Sequence, residues 1–413
     1  MSKFLYRFTF VLIFMLMLVS STVQAAQNNQ EKLYAEGLAA FYAYDYSKAF
    51  ALFSKAAETG HVVAQAELGR MYERGYMVDV NMKRALELYD KSRGRIEKAA
   101  ETGNARAQFF LGRMYSNGHA VRKDKALAMK WYRKAADAGD MEAQSSLGGM
   151  YRDGEAVTRD YKQAINWFRK AADKGYANAQ ANLGWMYENG VGVARDDKQA
   201  VFWYRKAADK GYAWAQNNLG TMYQDGKGIA KDDKQAVNWF RKAAEQGDAD
   251  AQNNLGAMYQ NGQGVAKDNK QAIYWYRKGA DAGDMVAQFN LGCMYYEGIG
   301  VAQDDKQAVY WYRKSADQGY ANAQFNLGIM YAKGEGVAQD NKQAIRWLHM
   351  AADQGHASAQ KTIKQIDDET ASIRAVLGMM DFIDDFQDSQ DWICKRCGSS
   401  NSNWATYCHN CGR

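Results

Sequence analysis

Four cysteines near the C-terminus carry the clearest chemical pattern: Cys394-x-x-Cys397, ten residues, then Cys408-x-x-Cys411. Two CxxC pairs at this spacing bring four thiolates together, and four sulfurs at about 2.3 Å satisfy the tetrahedral preference of one zinc ion. The same residues also admit two disulfides, in one of three pairings, which is the chemistry an oxidising compartment favours. Cys293 is left over as a groove or packing thiol. The five histidines, His61, His119, His349, His356 and His409, show neither metal nor triad spacing.

The elements that must carry these residues follow a strict period. An Ala-Gln dipeptide recurs with its glutamine at Gln108, Gln144, Gln180, Gln216, Gln252, Gln288, Gln324 and Gln360, every step 36 residues. Gln65 stands 43 before Gln108, so the first full repeat holds seven extra residues, which predicts a second helix about two turns longer. Leu-Gly and Met-Tyr pairs keep the same register, as do Trp131, Trp167, Trp203, Trp239, Trp275, Trp311 and Trp347. Within one repeat, Ala179, Leu183, Met186 and Tyr187 fall on one face of a helix. Gly184 costs that helix about 1 kcal/mol relative to alanine, which predicts a close approach of another backbone. Gly190 and Gly192 end it, Asp196 with Gln199 forms a capping-box pattern that starts a second helix, and Gly211 stops that one. Neither helix buries its face alone, so the pairs must stack. The tryptophan and Met-Tyr series lie at core spacing and read as packing residues.

These residues, best seen in AQANLGWMYENGVGVARDDKQAVFWYRKAADKG at 179–211, resemble the Sel-one-like repeat family, a relative of the tetratricopeptide repeat. The resemblance covers roughly residues 31 to 360. It implies an all-α fold, a right-handed superhelix of αα-hairpins, and the role of a protein-interaction scaffold. Met77 and Ala120 replace the second loop glycine of the family pattern in the first two repeats. The C-terminal cysteines, with Trp392 and Asn401, are spaced as in the Ran-binding-protein type of zinc finger, and Gly398, Ala405, Tyr407 and Gly412 equally resemble a short zinc ribbon. The paired arginines and the Thr-Phe pair that serve RNA and ubiquitin binding in the finger family are absent, so only the zinc ligands carry over.

The expected organisation is a signal peptide at 1–25, a degenerate capping repeat at 26–60, a solenoid at 61–360, an acidic amphipathic capping helix at 361–390 and a four-Cys module at 391–413. Lys3 and Arg7 precede an apolar run from Phe8 to Val19, and Val23-Gln24-Ala25 supplies small residues before a cut after Ala25. This predicts a periplasmic or secreted protein, with a membrane contact only through that segment if it stays uncleaved. Proline is absent from all 413 residues, where about 20 would be usual, which excludes Pro-rich linkers and stalks. The formal charge of +6 is mild and evenly spread, so nucleic acid is not an expected partner.

Positions that vary between repeats on the face opposite the packing face are the candidate contacts for a protein or peptide partner. They are Phe109, Arg113, Trp185, Phe289, Cys293, Phe325 and Ile329, with Phe289/Cys293 and Phe325/Ile329 forming a two-repeat apolar patch. An alternative is that these aromatics pack on one another. An asparagine ladder (Asn182, Asn218, Asn254, Asn290, Asn326) would tie adjacent repeats together or bind an extended peptide backbone. Ser358-Ala359-Gln360-Lys361 matches the SxxK of penicillin-recognising enzymes, but no SDN or KTG accompanies it. A binding scaffold without enzymatic activity is therefore the reading, and a cell-envelope hydrolase of the penicillin/peptidoglycan-recognising kind is the alternative.

Overall fold

A computed structural model describes residues 27–366 and the backbone of 391–393 and 400–402. The expected signal segment, the four C-terminal cysteines and most of the expected capping helix lie outside the described residues. The chain divides into two compact units, Met1–Lys231 and Asp232–Arg413, called unit 1 and unit 2 below.

Unit 1 holds eleven described helices. They are α1 (27–42), α2 (Tyr46–Glu58), α3 (Ala64–Arg74), α4 (Met82–Glu101), α5 (Ala105–Asn117) and α6 (Lys125–Asp137), followed by α7 (Met141–Asp153), α8 (Tyr161–Asp173), α9 (Ala177–Asn189), α10 (Asp197–Ala208) and α11 (Ala213–Asp225). Unit 2 continues with α12 (Asp233–Glu245), α13 (Ala249–Asn261), α14 (Asn269–Asp281), α15 (Met285–Glu297), α16 (Asp305–Asp317), α17 (Ala321–Lys333), α18 (Asn341–Asp353) and α19 (357–366). Two short strands, β1 (Asp391–Ile393) and β2 (Ser400–Ser402), pair antiparallel with Trp392 opposite Asn401. They flank the first CxxC pair in sequence.

The repeated residues now have individual reasons. Each odd-numbered helix from α3 to α17 ends on a left-handed glycine, as Gly190 does at φ 65°. The residue before each second helix caps it, Asn81 for α4 and an aspartate elsewhere: Asp196 accepts from the backbone N–H groups of Lys198 and Gln199. From Gln108 to Gln324 the glutamine of the Ala-Gln pair is buried and donates to a carbonyl at the end of the preceding helix, Gln180 to Ala172 at 3.0 Å and Gln288 to Ala280 at 3.1 Å. That bond satisfies one of the orphan carbonyls of a helix terminus, and it clamps each helix pair to the next. The extra residues of the first full repeat lengthen α4 to 20 residues, against 13 in α6 and α8. Of the seven tryptophans at this spacing, Trp167, Trp203, Trp275, Trp311 and Trp347 are buried, whereas Trp131 and Trp239 are half-buried.

Two details differ from expectation. What presses on Gly184 is the ring of Tyr204, 2.7 Å from where a Cβ would stand, and Tyr276 and Tyr312 press in the same way on Gly256 and Gly292. The close backbone approach is found instead at the second loop glycine, where a Cβ on Gly228 would lie 2.2 Å from the carbonyl oxygen of Asp197. In the early repeats Met77, Ala120 and also Ala156 adopt the left-handed conformation at the corresponding place, with φ of 67°, 57° and 59°.

Candidate functional site

The short connection between α1 and α2 has the sequence Phe41-Tyr42-Ala43-Tyr44-Asp45-Tyr46, four aromatics in six residues. It forms a tight turn that faces several first helices of unit 1. Arg70 on α3 lies over the Phe41 ring at 4.0 Å. The Tyr42 hydroxyl donates to Glu142 on α7 at 2.8 Å, and its ring meets Tyr176, the N-cap of α9, edge-on at 6.1 Å. Tyr44 packs beside Tyr212, the N-cap of α11. One turn thus touches four of the five odd-numbered helices or N-caps from α3 to α11, so this face of unit 1 is concave around it.

Beneath the turn is a buried ionic cluster. Glu142 accepts from Arg70 Nη1 at 2.6 Å and from Arg106 Nη2 at 2.7 Å. Arg106 also donates to Glu67 at 2.7 Å and 2.9 Å and to Asp140 at 3.3 Å. Arg70 Nη2 lies 2.6 Å from Glu67 Oε2, but without hydrogen-bond alignment. Burial alone would raise the Glu142 pKa, yet the guanidiniums of Arg106 and Arg70 outweigh it and hold the carboxyl well below the usual carboxylate range. Asp140, buried and less completely paired, is pushed up. Burial also raises the Tyr42 hydroxyl, so Tyr42 remains a hydrogen-bond donor.

Around the turn remains a cavity of about 550 Å³, lined among others by Tyr42, Tyr44, Tyr46, Arg113, Tyr176 and Tyr212. A second, more open one of about 410 Å³ shares Asn178 and Tyr212 with it and adds Arg152, Asn182 and Trp214. Both are lined by polar and aromatic groups suited to holding a polypeptide segment. Among the described residues there is no group of three or more His, Cys, Asp or Glu placed to hold a metal.

The residues singled out from the sequence divide into several groups. Phe109 does not line a groove: it is 3% exposed, packed on Phe110 and Tyr132 with Arg106 over its face. Arg113 is half-buried and ion-paired to Glu73 at 2.7 Å. Trp185 is half-buried with Arg152 over its ring. In unit 2, Phe289 is half-buried against Tyr312 and Tyr320, and Phe325 stacks on His356 at 4.7 Å. Cys293 accepts a hydrogen bond from the Tyr312 hydroxyl at 3.3 Å, and burial pushes its thiol pKa up. Ile329 is half-buried beside this row. Cys394, Cys397, Cys408 and Cys411 lie outside the described residues. Two members of the asparagine ladder do join repeats, Asn182 accepting from Arg152 and Asn290 donating to Asn253. His61 and His356 each accept from a backbone N–H three residues on, which is a capping role. Ser358 and Lys361 are both exposed.

The family profile described as the Sel1 repeat matches nine times, at residues 32–61, 62–93, 105–140, 142–176, 177–212, 215–248, 249–284, 286–320 and 321–356. The chain belongs to the Sel1 repeat family. The first match covers the stretch that reads as a degenerate half-repeat, and the structure gives it two helices. Among solved structures, this Sel1 repeat chain is similar to a protective antigen of uropathogenic Escherichia coli strains displaying an SLR fold. The two are 38% identical with a TM-score of 0.56, over 77% of this chain and 67% of that one. A Sel1 repeat protein of Oxalobacter formigenes is 37% identical with a TM-score of 0.55, over 76% and 89%. No curated protein matches the chain.

Proposed function

We propose that this Sel1-repeat chain is an exported scaffold that binds a partner protein through the exposed, variable positions of its first helices and catalyses no reaction itself. One observation carries this reading. The fold commits the recurring residues to clamps, caps and core, and leaves the varying positions Trp185, Phe289, Cys293, Phe325 and Ile329 partly exposed. Exposed apolar rows of this kind commonly serve partners. The triple variant Trp185→Ser, Phe289→Ser, Phe325→Ser tests it. A partner captured from the native envelope by the wild type is expected to be lost by a variant that remains helical; unchanged capture overturns the reading.

Export rests on the basic, apolar and small-residue segments of the first 25 residues, and the protective antigen among its relatives fits a chain displayed outside the cytoplasm. Mature protein from the cell envelope or medium is expected to begin at Ala26. The described helices include none long and apolar enough to cross a membrane. For the C-terminal module, we propose a zinc ion held by Cys394, Cys397, Cys408 and Cys411, a donor set that suits zinc. Native and denaturing mass spectra decide between metal and disulfides: a deficit of about 4 Da without zinc means two bridges.

A further inference from the structure

The large apolar side chains exposed among the described residues are not scattered. Four of the eight, Met77, Val80, Met82 and Leu86, fall within ten residues, across the α3–α4 loop and the first turns of α4. The other repeats put polar groups at these places. The position of Val80 holds Lys123, Arg159, Arg195, Lys231, Lys267, Gln303 and Gln339, and that of Met82 holds Asp197, Asp233 and Asp305 in three repeats. Leu86 takes the place of Val201 and Val237, which are 6% and 3% exposed, yet Leu86 is 38% exposed. Apolar residues thus stand where their cover is missing.

The seven extra residues of the first full repeat explain the loss. In later repeats the second loop glycine sits on the start of the preceding even-numbered helix: a Cβ on Gly192 would lie 2.3 Å from the Cβ of Tyr161, the first residue of α8. Tyr161 stands one turn and more before Phe168, whose ring packs on Gly148. In α4 the corresponding ring, on Gly69, is that of Tyr89. Here the following loop meets the helix at that ring and beyond it. His119 stacks on Tyr89 at 5.2 Å, and the carbonyl of Ala120 accepts from Arg93 at 3.2 Å. Two added turns carry the next repeat about 10 Å along α4. The flank of its first two turns, a stacking surface in α8 and α10, is left bare.

We propose that this bare flank is a self-association surface, on which α4 of a second copy of the chain packs antiparallel about a two-fold axis near Leu86. The charges select that occupant. Lys83, Leu86 and Asp90 follow one another at spacings of three and four residues and so share one stripe of the helix, with Met82 one turn before Leu86. All four are exposed. An antiparallel pair brings Lys83 of each copy to Asp90 of the partner subunit, with the leucines between them. A parallel pair would set lysine on lysine and aspartate on aspartate. The two-fold contact is isologous and closes at the dimer. An anionic lipid surface fits less well, because Asp79, Glu87 and Asp90 are exposed beside the apolar residues. Two helical turns and one loop are far fewer than the roughly 20–30 residues a side of a standard interface, so the dimer is weak, with a dissociation constant on the order of ten micromolar or above. This surface is separate from the partner-binding rows of the first helices and does not rest on that reading.

Sedimentation velocity of the full chain, from about 1 μM to about 200 μM so as to bracket such an affinity, tests the proposal. The wild type is expected to pass from monomer to dimer across that range. Leu86→Lys is expected to stay monomeric at every concentration. Lys83→Asp alone, or Asp90→Lys alone, should weaken association by about fivefold or more, since each puts like charges together at two symmetric places. Joining the two exchanges in one chain should restore association to within about twofold of the wild type, because antiparallel pairing merely swaps the partners. All these positions are exposed, and circular dichroism checks that the variants stay folded. If Leu86→Lys loses helix content, Leu86→Gln takes its place with the same expected result. A wild type that is monomeric throughout, a dimer that the Leu86 variant leaves intact, or a double exchange that fails to restore association overturns the proposal. A monomer that sediments with phosphatidylglycerol vesicles, and is released by Leu86→Lys, makes the occupant a lipid surface and overturns the second copy. Failure here with capture through the Phe289 row intact leaves the scaffold reading standing.

Discussion

Glu142 accepts hydrogen bonds from Arg70, Arg106 and Tyr42, and so joins three helices to the turn through one carboxylate. Removing one partner of a buried ion cluster strands the others without compensation, at about 3–5 kcal/mol. Glu142→Gln is therefore expected to lower the unfolding free energy of unit 1, extrapolated from urea titration, by an amount in that range, without loss of helix content in the native state. The pH dependence follows from the direction of the shift. The folded pKa of Glu142 lies below its unfolded value of about 4.3, so its stabilisation is complete above that pH and drains away as the pH falls through it. Asp140, with a raised pKa, works in the opposite sense and recovers part of the loss as it protonates. His61, whose pKa burial lowers despite nearby Glu31, begins to cost stability below about pH 6.5. Unfolding measured from pH 7 to 3 should show a steep acid limb, and Glu142→Gln should flatten it below about pH 4.3. None of this cluster was legible in the sequence. Glu67, Arg70, Arg106 and Glu142 sit at positions that vary between repeats, and pairs such as Arg70 and Glu142 are 72 residues apart. The one local signal was the density of aromatics between Phe41 and Tyr46.

The helix pairs were legible almost to the residue, because each carries its own caps, stops and clamps within 36 residues. The lengthened α4 followed from seven extra residues and a constant rise per residue. What the period did not disclose is which glycine serves which purpose, since recurrence alone does not tell a helix stop from a close contact. The structure separates them, and the separation is measurable. Gly103 and Gly228 both have positive φ, but a Cβ on Gly103 meets nothing within 4 Å whereas one on Gly228 runs into the backbone of Asp197. Gly103→Ala should cost only the left-handed conformation, about 1–2 kcal/mol. Gly228→Ala should cost clearly more, because the backbone of α10 must move as well; equal losses in thermal unfolding would contradict the close approach. Gly184→Ala tests a third case, a Cβ driven into the Tyr204 ring, with an expected loss of about 1–3 kcal/mol from overpacking.

For the whole molecule, the array of helix pairs means that stability is largely a sum of repeat and nearest-neighbour terms. The ties described in unit 2, such as Asn290 to Asn253 and Gln288 to Ala280, join adjacent pairs and conform to that rule. Unit 1 breaks it, because Tyr42 and Tyr44 reach residues 100 to 168 positions away. A block duplicating residues 249–284 after position 284 should therefore leave the melting temperature unchanged or raised. Duplicating residues 105–140 after position 140 should lower it, since Arg106 would then stand where Glu142 accepts from Tyr42 and Asp140 where Tyr176 meets its ring. Near-identical tandem segments invite gene slippage, which adds or deletes whole units in frame. The tyrosine turn acts against that drift as a counting device: the number of repeats between Arg70 and Tyr176 is set by the contacts that Tyr42 makes with Glu142 and Tyr176, while the later repeats are free to multiply or shrink as the chain diversifies.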